Sequence, residues 1–436
     1  MAGPGMLPAP VADLRRDFHR HPEVGFCEFR TASRAAGTLA DLGWDVLVGP
    51  DAIAPSARLG VPPEQELESA WERAAASGGD RRFLPAMRGG LTAVVASLRG
   101  RRPGPVVALR ADMDALPLQE SRSAEHLPAR QGFDSLWPGT MHACGHDGHL
   151  AIALTLAARL ADRDFPGTVK LLLQPAEEGG RGGAAMVAAG AADDVGLFLA
   201  LHLGMGLPGG AVCPAVSGLM GNAKLKAVFG GVAAHAAMSP DAGRHALLGA
   251  AAAALGVHAM PPVPGHETRV NVGALHSGTS SNIVPDRAEM LLETRADDAA
   301  VSEQLEARVR ALLAGVASGY GLSLDVELIG AVMPASSDKT AEAIVAGAAR
   351  AHHIPLAALT RPPASDDATA FMRKVQGNGG AAGYLGLGAG NYGPHHSPTF
   401  DIDESVLPVG VRLLEHIVRA GAASAGAGAM SPSVSA

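Results

Sequence analysis

Residues 169–180 read VKLLLQPAEEGG, an apolar run that ends in two adjacent acidic residues and two glycines. The apolar part, residues 169–173, is typical of a strand that is buried on both faces of a parallel sheet. The same alternation of apolar strands and helical patterns continues elsewhere: strands at 106–110, 197–202 and 381–387, and helices at 148–160, 183–189, 339–352 and 404–418. This rhythm predicts an α/β domain with a mostly parallel sheet, whose functional groups gather where the strands end.

The composition indicates a folded globular protein. The chain has 436 residues, enough for two or three domains, and 47% of them are hydrophobic against 18% charged, which excludes extensive disorder. Lysine and arginine number 35 and acidic residues 43, so neither a nucleic acid nor a membrane is expected as a partner. No apolar run reaches the roughly 20 residues that span a bilayer. Because the N-terminus also lacks the pattern of a secretion signal, we expect a cytoplasmic protein.

A second, smaller domain is predicted at residues 220–331, where the order of elements changes. Its elements follow one another as strand 222–229, helix 241–258, strands 268–275 and 287–295, helix 299–318 and strand 322–329. This βαββαβ order is ferredoxin-like. Alternation within residues 287–295 places Arg295 and other charged residues on one face and apolar residues on the opposite face. We therefore expect a polar sheet face that overlies a site.

The larger domain is interrupted by this smaller one. Its α/β pattern resumes afterwards, so it comprises residues 1–219 and 332–436. Residues 49–90 form a polar, proline-rich insertion within it, with an amphipathic segment at 64–76. Residues 421–436 are mostly alanine, glycine and serine without periodicity, which predicts a disordered tail.

The densest group of potential metal ligands lies in residues 142–149, HACGHDGH. A thiolate and an imidazole two residues apart, at Cys144 and His146, can reach one ion, and the glycines between them and after them let the backbone bend around it. Incidental histidines are the alternative, because the chain contains 17. Four potential ligands within eight positions favour a metal site. For His149, the alternative is that it only begins the following helix and binds no metal.

Further candidates follow two predicted strands and a glycine-rich loop near the C-terminus. Adjacent side chains of an extended segment point in opposite directions, so one of the two carboxylates Glu177 and Glu178 can bind a metal while the other faces a water. A solvated acidic turn before a helix is the alternative. The candidate ligands are Cys144, His146, Glu178, His202 and His396. Five ligands exceed the three or four of a mononuclear zinc site, which favours two ions, zinc or manganese.

These segments resemble the M20 metallopeptidases, specifically the amidohydrolase branch that acts on N-acyl amino acids. The motifs that carry the resemblance are residues 110–117, 141–149, 174–179, 234–235, 282–285 and 396–398. The resemblance extends over about residues 11–415. Within the branch, the insertion at 49–90 and the sequence SDDA at 365–368 are most similar to the enzymes that hydrolyse p-aminobenzoyl-glutamate.

The resemblance implies a role for each ligand and for the base. Cys144 bridges two divalent ions, Mn²⁺ or Zn²⁺, and the other four ligands complete them: His146 and His202 on one ion, Glu178 and His396 on the other. Glu177 is the general base that takes a proton from the attacking water and returns it to the leaving amine.

The resemblance also implies roles outside the ligand set. His235, from the smaller domain, reaches the site of the partner subunit, which makes that domain a lid and dimerisation domain. Asn282 and Arg295 hold the α-carboxylate of the substrate, a task to which a guanidinium group is well suited. Asp112 and Asp114 orient the ligands from behind, although a capped loop is the alternative for both. A direct role for Asp367 is in doubt, because SDDA departs from the usual motif of the family.

The resulting expectation is a dinuclear amidohydrolase that cleaves p-aminobenzoyl-glutamate to p-aminobenzoate and glutamate. Hippurate, indoleacetyl-amino acids and N-acetyl-amino acids are alternative substrates. The expected assembly is either a homodimer or a heteromer with a paralogous chain. The rival functions are a chain that is active only with its paralogue and a metal-storage module. Lys224 and Lys226 are candidates for the second cation that a glutamyl side chain requires, with solvated edge charges as the alternative.

Overall fold

The computed structural model describes residues 10–359, 365–390 and 392–421. The chain divides into two compact units, Met1–Ser217 with Ala335–Ala436 and Gly218–Pro334. The predicted disordered tail lies, from residue 422 onward, outside the described residues. Within the described part of the chain, no helix combines the length and the apolar character needed to cross a membrane.

Helices and strands alternate along most of the chain. The helices are, in chain order, α1 (Val11–Arg20), α2 (Phe29–Asp41), α3 (Glu64–Ala76), α4 (Leu127–Gln131), α5 (His146–Arg159), α6 (Gly183–Ala188), α7 (Ala246–His258), α8 (Ala299–Gly319), α9 (Lys339–Ala351), α10 (Ala368–Gly377) and α11 (Leu407–Ala420). The strands are β1 (Asp45–Val48), β2 (Val94–Arg99), β3 (Arg102–Asp112), β4 (Pro166–Gln174), β5 (Leu197–Leu203), β6 (Val212–Cys213), β7 (Gly221–Gly230), β8 (Ala234–His235), β9 (Thr268–Ser277), β10 (Ile283–Val284), β11 (Arg287–Ala296), β12 (Ser323–Val332) and β13 (Ala381–Leu387).

The larger unit is built on a seven-stranded sheet in the order β1-β2-β4-β3-β5-β13-β6. The predicted α/β fold is confirmed, but the prediction of a mostly parallel sheet is wrong for the outer strands. The four strands β4, β3, β5 and β13 are parallel, whereas the pairs β1/β2, β2/β4 and β13/β6 are antiparallel. Only two residues separate β2 from β3, too few for the crossover that parallel strands require. The sheet is therefore mixed.

The parallel strands bring the functional segments to one edge of this sheet. Asp112 at the end of β3 lies opposite Gln174 at the end of β4. Next along the sheet, His202 lies near the end of β5 and opposite Gly386 of β13. Because the carboxyl ends of parallel strands meet at the same edge, the loops that follow β3, β4, β5 and β13 converge there.

The core of the larger unit explains why its helices and strands form where they do. Every residue of β5 is buried, as expected for a strand covered on both faces. Helix α5 is apolar on nearly all sides and is buried along most of its length. In the insertion, α3 buries Leu67, Ala70 and Ala74, which are spaced for one helical face, and packs against α2.

The smaller unit contains a four-stranded antiparallel sheet in the order β12-β7-β11-β9, with the short pair β8/β10 apart from it. Helices α7 and α8 pack on this sheet over a core that includes Leu225, Phe229, Met290 and Leu313. The carboxylate of Asp298 accepts hydrogen bonds from the first free amides of α8 and thereby begins that helix. Buried and more exposed residues alternate along β11, as the sequence pattern predicts.

Candidate metal centre

The segment after β3 and the end of β5 bring three potential ligands together in the larger unit. The ligand atoms of Cys144, His146 and His202 all lie within 4.8 Å of one another, and the Cys144 Sγ lies 3.6 Å from the His202 Nε2. Gly145 adopts a left-handed backbone, with φ of +94°, which glycine does at low cost. This turn lets α5 begin at His146 directly beside the thiol.

Two backbone carbonyls fix the orientation of both imidazoles. The His146 Nδ1 donates to the carbonyl of Asp114 at 2.8 Å, and the His202 Nδ1 donates to the carbonyl of Leu203 at 2.8 Å. Because a carbonyl only accepts, each Nδ1 carries a proton, which leaves each Nε2 available to present a lone pair to a cation. The Nε2 of His146 is buried and finds no hydrogen-bond partner within the described part of the chain, so a bound cation would satisfy it.

A second group of three ligands shares the same cysteine. The ligand atoms of Cys144, Glu178 and His396 lie within 4.8 Å of one another, and the His396 Nε2 lies 3.2 Å from a Glu178 oxygen. The amide of His396 donates to the carbonyl of Ala143 at 2.8 Å, which fastens the C-terminal loop to the segment that carries Cys144. The thiol therefore belongs to both groups, and its burial raises its pKa well above the ordinary value.

Glu177 lies at the edge of the same cluster. Its carboxylate is 3.7 Å from the His146 Nε2. Burial, together with the charges of Asp366 and Glu178, holds the pKa of Glu177 well above its ordinary range. A buried carboxyl of this kind is suited to accept a proton and to return it.

Asp114 holds the acidic turn in place. One of its carboxylate oxygens accepts the amide of Glu177 at 3.0 Å, and the other accepts the amide of Glu178 at 3.0 Å. Since the carbonyl of the same residue receives the proton of His146, Asp114 connects a ligand imidazole with the turn that carries both glutamates. Ala176, which precedes the turn, has φ of +54°, and the buried carboxylate of Glu28 accepts its amide at 2.8 Å.

Asp112 orients a histidine that lies behind the cluster. Its carboxylate accepts from the His149 Nδ1 at 2.5 Å and from Arg110 at 2.5 Å. Burial alone would raise the pKa of Asp112, but the charges of Arg110, His146 and His149 hold it well below the ordinary value. The His149 Nε2 accepts the amide of Leu203 at 2.9 Å. Although Asp112, His146 and His149 also lie close together, both nitrogens of His149 are therefore already engaged.

His142, the remaining imidazole of the HACGHDGH segment, is separate from these groups. It is buried, and neither ring nitrogen has a hydrogen-bond partner within the described residues. Burial lowers its pKa to about 4, so the ring is neutral near pH 7. The ring of His19 lies near it, with 6.3 Å between the two ring centroids. His142 joins none of the close ligand groups found among the described residues.

Sequence reasoning missed a buried network behind Glu177. Arg110 donates to Asp366 at 3.0 Å, and the Tyr384 hydroxyl donates to the other oxygen of Asp366 at 2.6 Å. Carboxylate oxygens of Glu177, Asp366 and Asp367 lie within 4.8 Å of one another. The signal in the sequence was the charged residue Arg110 directly after the apolar run 106–109, since a buried charge requires partners.

The carboxylate of Asp367 binds backbone amides. Its carboxylate accepts the amides of Gly182 and Gly183 at 3.1 and 2.9 Å, at the start of α6, and the side-chain amide of Gln174 at 2.5 Å. Burial raises the pKa of Asp367 to about 7, partly offset by the nearby charge of Arg110. The carboxylate therefore shapes the loop after the acidic turn.

In the smaller unit, the structure brings His235 and the segment of Asn282 together. His235 in β8 pairs with Ile283 in β10, and the carbonyl of Asn282 accepts the amide of Ala236 at 3.0 Å. The Nδ1 of His235 accepts amide hydrogens from Ala237 and from the next residue, both at 3.2 Å. Its proton therefore sits on Nε2, on an exposed ring.

Arg295 lies on the polar face of the sheet in the smaller unit. Its guanidinium pairs with Glu293 through two hydrogen bonds of 2.8 and 3.1 Å. Glu293 also accepts from the side chain of Asn222 at 3.0 Å. On the same sheet, Lys226 lies 3.5 Å from a Glu289 carboxylate oxygen. Carboxylates of the chain itself thus already engage these cations.

Comparisons with known proteins give a consistent result. The model of peptidase family M20/M25/M40 matches residues 108–420. The chain is 44% identical to indole-3-acetyl-aspartic acid hydrolase of Enterobacter agglomerans, over 93% of this chain and 94% of that protein. It is 41% identical to one of the subunits of p-aminobenzoyl-glutamate hydrolase of Escherichia coli, over 94% and 95%. Among solved structures, the aminobenzoyl-glutamate utilization protein of Klebsiella pneumoniae matches with a TM-score of 0.81 and 39% identity, over 94% and 95% of the two chains.

Proposed function

Because the chain belongs to peptidase family M20, whose members hydrolyse amide bonds, we propose that it is a dinuclear metal-dependent amidohydrolase that cleaves an N-acyl or N-aroyl amino acid. The observation that carries this proposal is the position of Cys144 in two ligand groups at once. One thiolate shared between two groups of three ligands suits a pair of ions that it bridges.

The donor set fits divalent ions. His146 and His202 with the shared thiolate would hold one ion, and Glu178 and His396 with the same thiolate would hold the other. Thiolate and imidazole favour Zn²⁺, and carboxylate also admits Mn²⁺. When bound, the two ions supply the Lewis acidity that lowers the pKa of water and polarises an amide carbonyl.

The residues of the chain supply the proton transfers. Glu177 is proposed as the general base that takes the proton of the attacking water and donates it to the leaving amine, so the amide bond breaks as the new carboxyl group forms. Asp114 supports this role because it fixes the backbone of the acidic turn. Asp112 orients the ring of His149, which lies behind the ligands.

The substrate is proposed to be an amide of a dicarboxylic amino acid. The names of two relatives specify an aspartate conjugate and a glutamate conjugate, which supports p-aminobenzoyl-glutamate as the substrate and indole-3-acetyl-aspartate as the second candidate. Hippurate and the N-acetyl derivatives of neutral amino acids lack the second carboxylate and are the comparison substrates.

The smaller unit is proposed as a ferredoxin-like lid and dimerisation domain, residues 220–331, beside a catalytic domain of residues 1–219 and 332–436. In this proposal, His235 stabilises the developing oxyanion in the site of the partner chain, and its Nε2 proton makes it a suitable donor. Asn282 and Arg295 hold the α-carboxylate. The partner is a second copy or a paralogous chain, since the name of one relative describes it as a subunit of a hydrolase.

The test is amide hydrolysis by the purified chain with Mn²⁺ or Zn²⁺. We expect release of p-aminobenzoate from p-aminobenzoyl-glutamate, or of indole-3-acetate from indole-3-acetyl-aspartate, and loss of both activities with a chelator. Cleavage of hippurate in preference to both conjugates would retain the reaction and overturn the proposed substrate class. A chain that cleaves none of these amides, with ions bound and with its paralogue present, would contradict the proposed function.

A further inference from the structure

Two arginines of the larger unit converge on one aromatic ring. Arg58 lies in the insertion, and Arg181 lies three residues after Glu178. The guanidinium carbon of each is 5.5 Å from the centroid of the Phe26 ring. The insertion and the loop of the metal centre thus place two cations beside one ring.

Neither cation has a counter-charge in the described structure. No carboxylate lies within ion-pair distance of Arg58 or Arg181 among residues 10–359, 365–390 and 392–421. Their hydrogen bonds go to carbonyls: Arg58 donates to Gly89 at 2.6 Å and to Pro55 at 3.3 Å, and Arg181 donates to Gly60 at 2.8 Å. These two guanidinium groups can therefore receive an external carboxylate.

Burial makes this arrangement costly. The Nε of Arg181 is buried without a hydrogen-bond partner in the described part of the chain. Burial also lowers the pKa of Arg58. Both side chains are partly buried, and a partly buried charge without a counter-charge is unfavourable unless a ligand supplies one.

Glycines make room for both guanidinium groups. A Cβ at Gly25 would collide with the Nη2 of Arg181, and a Cβ at Gly179 would collide with the Nε of Arg181. A Cβ at Gly90 would come within 3.1 Å of the Nη1 of Arg58. Because Gly179 directly follows Glu178, the guanidinium of Arg181 lies over the acidic turn of the metal centre. Arg181 is thus close to the backbone that carries Glu177 and Glu178, and Arg58 lies beside the Phe26 ring that Arg181 also contacts.

We propose that Arg58 and Arg181 together bind the side-chain carboxylate of the dicarboxylic amino acid in the substrate. This assignment rests on the proposed function. A carboxylate has two oxygens and can receive one charge-assisted hydrogen bond from each guanidinium. The two arginines act as specificity determinants, separate from Arg295, which is proposed to hold the α-carboxylate. The insertion then contributes directly to substrate selection. The rival interpretation is that both arginines only fasten the insertion to the catalytic loop.

The experiment compares two substrates that differ only in this carboxylate. We expect the wild-type chain to hydrolyse p-aminobenzoyl-glutamate with a kcat/KM roughly 10- to 100-fold above that for p-aminobenzoyl-glutamine, as expected for hydrogen bonds to a charged group. The same comparison with indole-3-acetyl-aspartate and indole-3-acetyl-asparagine covers the shorter side chain. Arg58→Met and Arg181→Met should each remove most of this preference, because the kcat/KM for the carboxylate substrate should fall far more than the kcat/KM for the amide analogue. Lysine at either position should restore part of the preference.

Arg73→Met is the matched control. Arg73 also lies in the insertion and stacks on an aromatic ring, with its guanidinium carbon 4.6 Å from the Trp137 centroid. Its loss should leave the preference for the carboxylate unchanged.

The activity on the amide analogue reports folding of each variant. An equal fall for both substrates in Arg58→Met and Arg181→Met would support the fastening role and overturn the proposal, as would a wild-type chain without preference. Hydrolysis of neither member of either pair would instead overturn the proposed function itself, and this assignment with it.

Discussion

Replacement of Arg15 by methionine should destabilise the larger unit strongly. The side chain of Arg15 is fully buried and pairs with Asp147 at 2.8 Å, with Asp401 at 2.7 Å and with Glu404 at 3.2 Å. Methionine would leave two buried carboxylates, Asp147 and Asp401, without this cation. Removal of one partner from a buried ionic group costs about 3 to 5 kcal/mol, because the remaining charge stays uncompensated.

Arg16→Met provides the matched control one position away. Arg16 pairs with Glu404 at 2.6 Å, but its side chain is 35% exposed. Exposed ion pairs contribute about 0 to 1 kcal/mol. The two substitutions remove the same functional group from the same helix, so burial is the main difference between them.

Unfolding in urea, followed by tryptophan fluorescence, measures both effects. Trp44, Trp71 and Trp137 are the only tryptophans of the chain, and all three lie in the larger unit, so the signal reports that unit. We expect the free energy of unfolding to fall by about 3 to 5 kcal/mol for Arg15→Met and by at most about 1 kcal/mol for Arg16→Met. Equal small losses in the two variants would refute the reasoning from burial.

Three further predictions concern the site and the pH dependence. Glu177→Gln should lower kcat by roughly 100- to 10,000-fold while the chain still binds two ions, whereas Glu178→Gln should reduce the amount of bound metal. Metal analysis together with turnover measurements separates the two roles. Unchanged turnover in Glu177→Gln would contradict the assignment of Glu177 as the base. His235→Ala should preserve the oligomer, as judged by sedimentation, and lose most activity; full activity would exclude a role in the partner's site. Burial and the charge of Arg15 oppose protonation of His19, but hydrogen bonds to Asp147 and Glu120, at 2.7 and 2.9 Å, raise the pKa of His19 to about 9. The stabilisation of the fold by protonated His19 is complete below pH 6.5 and is lost as the pH rises through 9. The urea midpoint of the wild type should therefore fall over that range, and the midpoint of His19→Gln should change less. Parallel changes in the two proteins would contradict this role of His19.

The parts of the fold that depend on local pattern could be predicted from the sequence. The amphipathic segment 64–76 coincides with α3, and the alternation in residues 287–295 coincides with the burial pattern of β11. The directions of the outer strands could not be predicted in this way. The direction of each strand depends on its neighbours in the sheet, and these need not be its neighbours in the sequence. For example, β2 and β3 are joined by only two residues, but β4 lies between them in the sheet.

The same distinction between local motifs and distant contacts applies to the candidate site. Cys144 and His146 could be singled out because they lie in a dense motif of potential ligands, and Glu178 because it follows a predicted strand. The pairing of Arg110 with Asp366 could not be predicted, because Asp366 is 256 positions away in the sequence. Likewise, nothing in the residues around Arg58 indicates that it shares the Phe26 ring with Arg181. Only the folded chain brings these charges together.

Titration of the metal-stripped chain with Mn²⁺, with hydrolysis of p-aminobenzoyl-glutamate and indole-3-acetyl-aspartate followed at each step, tests the dinuclear centre most directly. In the proposed centre, the thiolate of Cys144 serves two groups of ligands, so a complete site would hold two ions. We expect no hydrolysis without the ion and a plateau of activity at two bound ions per chain. Full activity without added metal, or a plateau at one bound ion, would contradict the dinuclear assignment.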